Sequence, residues 1–116
     1  MSAAVTFSGI DLTLQISDLT AGWSFSLPPA ADSALDQNSA EWIAERPELC
    51  SGNNCTLTSL ADFGAVTFSN ATANGDPISA LSPTSIQMTS KNSSALLALA
   101  GPLSGSGFTD TWYGNN

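Results

Sequence analysis

The stretch Ile10-Asp-Leu-Thr-Leu-Gln-Ile16 shows the period that governs this sequence. Its apolar and polar residues alternate one by one, which is the pattern of a β-strand with one buried face. An amphipathic helix would instead carry apolar residues at intervals of three and four. We therefore predict a strand here, and the same period of two recurs along most of the chain.

Further strands are predicted on the C-terminal side of this stretch. A turn at 18–22 leads to a second alternating run, Trp23, Phe25 and Leu27, which Pro28-Pro29 is expected to end, so the two runs predict a hairpin. More strands are predicted at 62–69, 84–90, 95–100 and 108–113, with a turn at 74–77 and a loop at 101–107. Six or seven short strands predict an all-β chain, an antiparallel β-sandwich, with residues 1–116 forming a single domain.

Residues 39–45 are compatible with two kinds of secondary structure, a short helix and a strand. Ser39 could cap a short helix that Pro47 ends, and on that helix Glu41 and Glu45 would be neighbours able to share a proton. On a strand the two glutamates would point to the same face about 13 Å apart, with Ile43 between them. Helix propensity does not decide between these alternatives.

Basic residues are scarce in this chain. The formal net charge is −8, and Arg46 and Lys91 are the only basic side chains. Nucleic-acid binding requires clustered lysines and arginines, so we expect no nucleic-acid partner. Few cations also limit charge repulsion in acid, which suits an acid-active protein, although secretion alone explains the composition equally well. No apolar run approaches the roughly 20 residues of a membrane helix, so no membrane partner is expected.

Cys50 and Cys55 are the only cysteines, five positions apart. A metal or redox pair is the alternative to a disulfide. Redox motifs prefer two intervening residues, and a chain without histidine lacks common zinc ligands, so no metal site is expected. A disulfide closing a tight loop is favoured and would contribute about 2 kcal/mol.

Three glycosylation sequons occur, at Asn54, Asn70 and Asn92. Together with the cysteine pair they predict a secreted, extracellular protein. The N-terminal residues contain neither the basic nor the apolar region of a signal peptide. We therefore expect a mature or trimmed chain, and specifically a fragment.

The chemistry available to this chain is that of carboxylates. Without histidine or a reduced cysteine, most nucleophilic triads are excluded, and no phosphate-binding glycine loop follows a strand. A glycosidase would need two carboxylates facing one cleft. A peptidase could use one as a general base, given a second group to stabilise the oxyanion. Any single acidic residue is most simply a solvated surface group.

Residues 39–47, Ser-Ala-Glu-Trp-Ile-Ala-Glu-Arg-Pro, resemble the signature strand of the eqolisins, the glutamic peptidases of filamentous fungi and some microbes. The cysteine loop at 50–55, the runs at 60–68 and 86–88, the ending at 108–112 and the hairpin at 12–23 resemble other parts of that family in the same order. The resemblance implies a bent sandwich of two antiparallel sheets, related to concanavalin-like lectins, of which this chain is the C-terminal half.

The resemblance also implies roles for individual residues. Glu45 would be the general base that activates water and later the acid that protonates the leaving amine. Glu41 and Ile43 would line the substrate cleft. The implied substrate is a polypeptide cleaved at acidic pH, and no cofactor is implied.

The sequence departs from the family at the catalytic glutamine. That residue belongs to an earlier strand region that this chain does not contain, and Gln15, Gln37 and Gln87 lack its context. The expected partner is therefore a missing N-terminal half or a second chain, and we expect the chain alone to have little or no peptidase activity. The alternatives are an inactive lectin-like module, with Trp42 or Trp112 as a sugar platform, and a half-domain that self-assembles through exposed strand edges.

Overall fold

The computed structural model describes residues 1–31 and 37–115. That part of the chain is built from antiparallel strands, with one turn of 3-10 helix at Ile78–Ala80. The predicted all-β, antiparallel class is thereby confirmed. The chain divides into two compact units, Met1–Ser39 and Ala40–Asn116. The single domain over residues 1–116 stays a prediction.

The first unit is a three-stranded sheet. Its strands are β1 (Ser2–Ser8), β2 (Asp11–Asp18) and β3 (Trp23–Ala31), hydrogen-bonded in the order β1-β2-β3. The predicted hairpin is the β2-β3 pair. Its turn is closed by Asp18, whose Oδ1 accepts hydrogen bonds of 2.9 Å from the backbone N–H groups of Thr20 and Ala21. Gly22 ends the turn at a φ of +72°, where a side chain would be strained.

The expectation that Pro28-Pro29 ends the second run is wrong, because β3 continues to Ala31. Leu12 pairs with Ala30 and Leu14 pairs with Leu27, so the two prolines together lie opposite a single residue of β2. This is a β-bulge at the edge of the sheet. Proline is found in sheets chiefly on edge strands and at bulges, because it has no N–H group to donate to the ladder.

The register gives this sheet two chemically different faces. One face is apolar and consists of residues aligned across the three strands: Ala3, Val5, Phe7, Leu12, Leu14, Ile16, Trp23, Phe25 and Leu27. The opposite face carries mainly serine, threonine and glutamine. No side chain within residues 1–27 is buried.

The second unit contains the remaining strands of the described chain. They are β4 (Glu48–Ser51), β5 (Asn54–Leu57), β6 (Ala65–Phe68), β7 (Thr72–Ala73), β8 (Asp76–Pro77), β9 (Gln87–Thr89), β10 (Leu96–Ala100) and β11 (Phe108–Trp112). Four of them form a sheet in the order β6-β11-β10-β9, and β4-β5 and β7-β8 are separate hairpins. Of the turn predicted at 74–77, only Asn74 and Gly75 form the turn between β7 and β8, both at positive φ as a tight hairpin turn requires, and residues 76–77 are β8 itself.

The strand predicted at 62–69 is shorter in the structure. Asp62 Oδ1 accepts a hydrogen bond of 2.9 Å from the N–H of Gly64, and Gly64 has a φ of +60°. This local turn competes with strand pairing, so β6 begins only at Ala65.

The core of the second unit is small and centred on β10. Leu97 is 1% exposed and forms a cluster with the buried Leu60 and Ala98. Phe63 and Trp112, together with Met88, pack against this cluster.

Candidate active site

The segment 37–47 is neither helical nor hydrogen-bonded into a strand ladder. From Glu41 to Pro47, however, its burial alternates residue by residue. Glu41, Ile43 and Glu45 are exposed. The residues between them, Trp42, Ala44 and Arg46, are half-buried. The helix alternative is therefore wrong, and the segment has the two-sided pattern of a strand without a partner.

This alternation places the two glutamates and Ile43 on one exposed face. Ile43 is 42% exposed between the carboxylates. At about 3.3 Å per residue, an extended segment separates Glu41 from Glu45 by roughly 13 Å. Two carboxylates so far apart cannot share a proton, so each would need a different catalytic partner.

The C-terminal end of the segment is held by hydrogen bonds across the chain. The carbonyl oxygen of Pro47 accepts from the N–H of Thr58 at 3.0 Å and from its Oγ1 at 2.8 Å. β4 and β5 follow directly, pairing Cys50 with Cys55 at a Cα–Cα distance of 4.0 Å. Glu45 thus lies two residues before an anchored position.

The predicted disulfide between Cys50 and Cys55 is confirmed. Within the described residues, Glu48 brings a carboxylate close to the two Sγ atoms, all within 4.8 Å of one another. Sulfur atoms bonded to each other are not thiolate ligands, so this group lacks the donors of a zinc site.

The glutamines of the chain are Gln15, Gln37 and Gln87. Gln15 lies on the polar face of β2, in the first unit. Gln37 begins the segment at a φ of +50°, and Gln87 starts β9 with its side chain exposed. Within the described residues, no hydrogen bond joins any of them to a glutamate.

An open groove of about 440 Å³ lies at one end of the four-stranded sheet. Its walls come from the ends of β6 and β11 and from the loop between β10 and β11, including Phe68 and Phe108, whose rings stack at 4.9 Å. No charged residue lines it, and neither Glu41 nor Glu45 belongs to it. The groove therefore lacks an acid or a base.

Asp110 is a buried carboxylate that sequence reasoning missed. It lies in the middle of β11, 6% exposed, and its Oδ1 has no hydrogen-bond partner. Burial raises the pKa of Asp110, and a hydrogen bond from the Thr111 backbone opposes this shift only in part. The alternation of β11 was a usable signal, because it places Asp110 on the same face as Phe108 and Trp112.

The tryptophans predicted as sugar platforms are only partly accessible. Trp112 packs against the core, and its Nε1 is buried without a partner. Trp42 is half-buried on the side of the segment away from the glutamates. The structure thus gives the lectin-like alternative no supporting observation.

The three sequon asparagines, Asn54, Asn70 and Asn92, are exposed. Glycosylation at these positions stays a prediction. In the part of the chain that the structure describes, no helix is long and apolar enough to cross a membrane.

Comparisons with known proteins agree with this architecture. The family model of the peptidase A4 family matches residues 1–109. The crystal structure of aspergilloglutamic peptidase from Aspergillus niger is similar with a TM-score of 0.68 and 29% sequence identity. It confirms the predicted β-sandwich class. No curated protein sequence matches the chain.

The match covers different fractions of the two chains. It covers 97% of this chain but 66% of the aspergilloglutamic peptidase chain. This chain therefore spans somewhat less than two thirds of its neighbour.

Proposed function

This chain belongs to the peptidase A4 family, and from that membership we propose that it is part of a glutamic endopeptidase whose general base is Glu45. The observation that carries the proposal is the segment 41–47, in which Glu45 is exposed and lies two residues before the anchored Pro47. Glu41 is also exposed but lies further from this anchor. A base held close to a fixed point can be positioned more precisely against a substrate.

The reaction needs one proton acceptor and one oxyanion donor. Ionised Glu45 would take a proton from water as the water oxygen attacks the peptide carbonyl carbon. The protonated Glu45 would then give that proton to the nitrogen of the leaving amine. Glu41 and Ile43, on the same face, would line the cleft along which the polypeptide lies.

The oxyanion donor is proposed to come from polypeptide outside these 116 residues. No hydrogen bond joins a described glutamine to Glu45, and this chain covers 66% of its structural neighbour. The donor, a glutamine amide by family resemblance, would stabilise the negative charge of the tetrahedral intermediate. Secretion and activity in acid belong to the same proposal, supported by the disulfide and by the two basic residues.

The test is cleavage of an unfolded protein at acidic pH. The chain would be combined with the part of aspergilloglutamic peptidase that it does not cover, since the chain alone is expected to be inactive. Glu45→Gln should lower the cleavage rate by about 10²–10⁴-fold, because an amide cannot accept the proton from water. Circular dichroism would establish that the variant keeps its strands.

Glu41→Gln provides the matched control, since it makes the same substitution at an exposed glutamate of the same segment. It should keep most of the cleavage rate. Loss of cleavage in Glu41→Gln but not in Glu45→Gln would move the base to Glu41. Cleavage unaffected by either change would contradict the proposed mechanism.

A further inference from the structure

Asp76 and Pro77 form the only Asp-Pro bond of this chain, and together they make up β8. The peptide bond before a proline is a tertiary amide, whose nitrogen is more basic than that of an ordinary peptide. A carboxylate on the preceding residue can reach the carbonyl carbon of that bond. Asp-Pro bonds therefore have a route to cleavage in acid that other peptide bonds lack.

We propose that the chain cleaves its own backbone between Asp76 and Pro77 in acid, and that the two fragments stay together as one folded unit. The Asp76 side chain is the nucleophile, and the substrate is the adjacent peptide bond of the same molecule. This inference does not depend on the proposed peptidase activity, since Glu45 takes no part in it.

The cleavage uses only atoms of these two residues, a proton and water. A carboxylate oxygen of Asp76 bonds to the main-chain carbonyl carbon of the same residue and closes a cyclic anhydride. The bond from that carbon to the Pro77 nitrogen breaks, and the nitrogen takes a proton from the acidic solvent and leaves as a secondary amine. Water then opens the anhydride, which gives residues 1–76 a free α-carboxyl group and residues 77–116 a new amino terminus.

The structure leaves the Asp76 carboxylate free to make this attack. Asp76 and Pro77 are both exposed, and within the described residues no hydrogen bond engages the Asp76 side chain. Asp18 and Asp62, by contrast, accept backbone hydrogen bonds, and Asp110 is buried. The attack joins two groups of one residue, so it needs no access for any partner larger than water.

The hairpin register activates the carbonyl group that is attacked. The N–H of Ile78 donates to the carbonyl oxygen of Ala71 at 2.9 Å, and Ala73 pairs with Asp76. Hydrogen-bonded pairs alternate with non-bonded pairs in an antiparallel ladder, so the pair that contains Pro77 needs no N–H, and Ala73–Asp76 is a bonded pair. In such a pair the Ala73 N–H donates to the Asp76 carbonyl oxygen, where it would stabilise the negative charge that develops during attack.

Contacts across the cleaved bond would hold the two fragments together. Ala71 and Ile78, which lie on either side of the bond and are hydrogen-bonded to each other, are only 3% and 4% exposed. Strand β6 of the first fragment pairs with β11 of the second. Leu60 of the first fragment packs in the core against Leu97 and Ala98 of the second. Cleavage at this bond therefore interrupts neither the four-stranded sheet nor the core.

The experiment is incubation of the 116-residue chain at about pH 2.5 and 40 °C for several days, followed by intact-mass spectrometry. The expected products are residues 1–76 and 77–116, with little cleavage at pH 7, where the leaving nitrogen is not protonated. The rate constant should be the same at chain concentrations of about 1 and 100 µM, because the step occurs within one molecule. A rate constant that rises with concentration would assign the cleavage to one chain acting on another and overturn the proposal.

Two substitutions test the two chemical roles. Asp76→Asn removes the attacking carboxylate and Pro77→Ala removes the basic leaving nitrogen, so each should lower the rate at least tenfold. Asp62→Asn makes the same change at an exposed aspartate that precedes Phe63, and this matched control should leave the rate unchanged. Circular dichroism would show whether each variant keeps its strands. Cleavage of Asp76→Asn at the parent rate would contradict the assigned nucleophile.

Two further measurements test the part played by the fold. The folded chain should be cleaved at a rate similar to that of the chain in 8 M urea, and cleavage confined to the urea sample would show that the fold protects the bond. Size-exclusion chromatography of the cleaved chain in acid should elute both fragments at the position of the intact chain, and urea should separate them. Fragments that separate without urea would overturn the proposed two-fragment unit.

Discussion

Asp110 holds its carboxylate inside the four-stranded sheet, aligned with Val66 on β6 and with Ala100 on β10. Neither neighbour can donate a side-chain hydrogen bond, so ionisation there is costly. Because burial raises the pKa of Asp110, its protonated form is favoured in the folded chain. Its contribution to stability is therefore fully present below about pH 3.8, the ordinary value, and is lost as the pH rises through the raised pKa.

Asp110→Asn should remove this part of the pH dependence. The amide stays neutral at all pH values, so the free energy of unfolding should fall less between pH 3 and pH 7 in the variant than in the parent chain. Urea titrations at several pH values would measure the difference. Asp76→Asn, at an exposed position on β8, is the control and should follow the parent profile. Parallel profiles for the parent and Asp110→Asn would contradict the prediction.

Residue-scale chemistry was only partly predictable from the sequence. The shared face of Glu41 and Glu45 follows from a period of two, and the structure shows that pattern. The anchoring of Pro47 by Thr58 spans 11 positions and depends on a hydrogen bond that no local pattern specifies. The catalytic glutamine expected beside Glu45 stays a prediction, because Gln15, Gln37 and Gln87 all lack the context of the family's strand.

At the scale of elements, the β4-β5 hairpin is the best-defined feature next to the candidate base. Its turn passes through Gly52 at a φ of +60°, and its pairing brings Cys50 opposite Cys55. All its side chains are exposed, so apolar burial adds little to it. The disulfide is therefore its main local stabilisation.

Replacing both cysteines with serine should lower the free energy of unfolding by about 2 kcal/mol, the loop-entropy value for so short a ring. Chemical denaturation followed by circular dichroism would measure this change. Limited proteolysis should show new cleavage at residues 48–57 before the rest of the second unit is cut. A control is the parent chain after mild reduction, which should behave like the double variant. Unchanged stability in both samples would contradict the prediction.

Strands with a clear apolar pattern in their own sequence were predicted well. Features that are defined by the register of a partner strand were not. β2 and β11 follow their alternating patterns closely, and β10 follows its continuous apolar run. β1 carries Ala3, Val5 and Phe7 at alternate positions, but the small residues between them gave a weak signal. β1 is recognised as a strand only through its register with β2. The bulge at Pro28-Pro29 was missed for the same reason, since it is defined by the partner strand.

At the scale of the whole molecule, charge governs how copies of the chain approach one another. The formal net charge of −8 at pH 7 opposes association of two copies, and the isoelectric point is about 4.1. In the described first unit the acidic groups are Asp11 and Asp18, and hydrogen bonds from Ala21 and Thr20 lower the pKa of Asp18.

Acid should therefore promote self-association of the chain. Lowering the pH from 7 towards the isoelectric point should raise the average molar mass in solution, as the mutual repulsion disappears. Sedimentation at both pH values would measure this. Sodium chloride at 1 M and pH 7, where the screening length is about 3 Å, should recover much of the same gain. Weaker association in acid than at neutral pH would contradict the expectation.

The bulge at Pro28-Pro29 has a consequence for how the sheet could polymerise. A strand from another molecule that added to the free edge of β3 would meet two successive positions without an N–H group. Growth along that edge is interrupted, which leaves β1 as the uninterrupted edge of the first unit. Edge addition in this unit would therefore stop after one pairing of β1 with β1, and the two prolines would protect an apolar sheet from extending into fibrils.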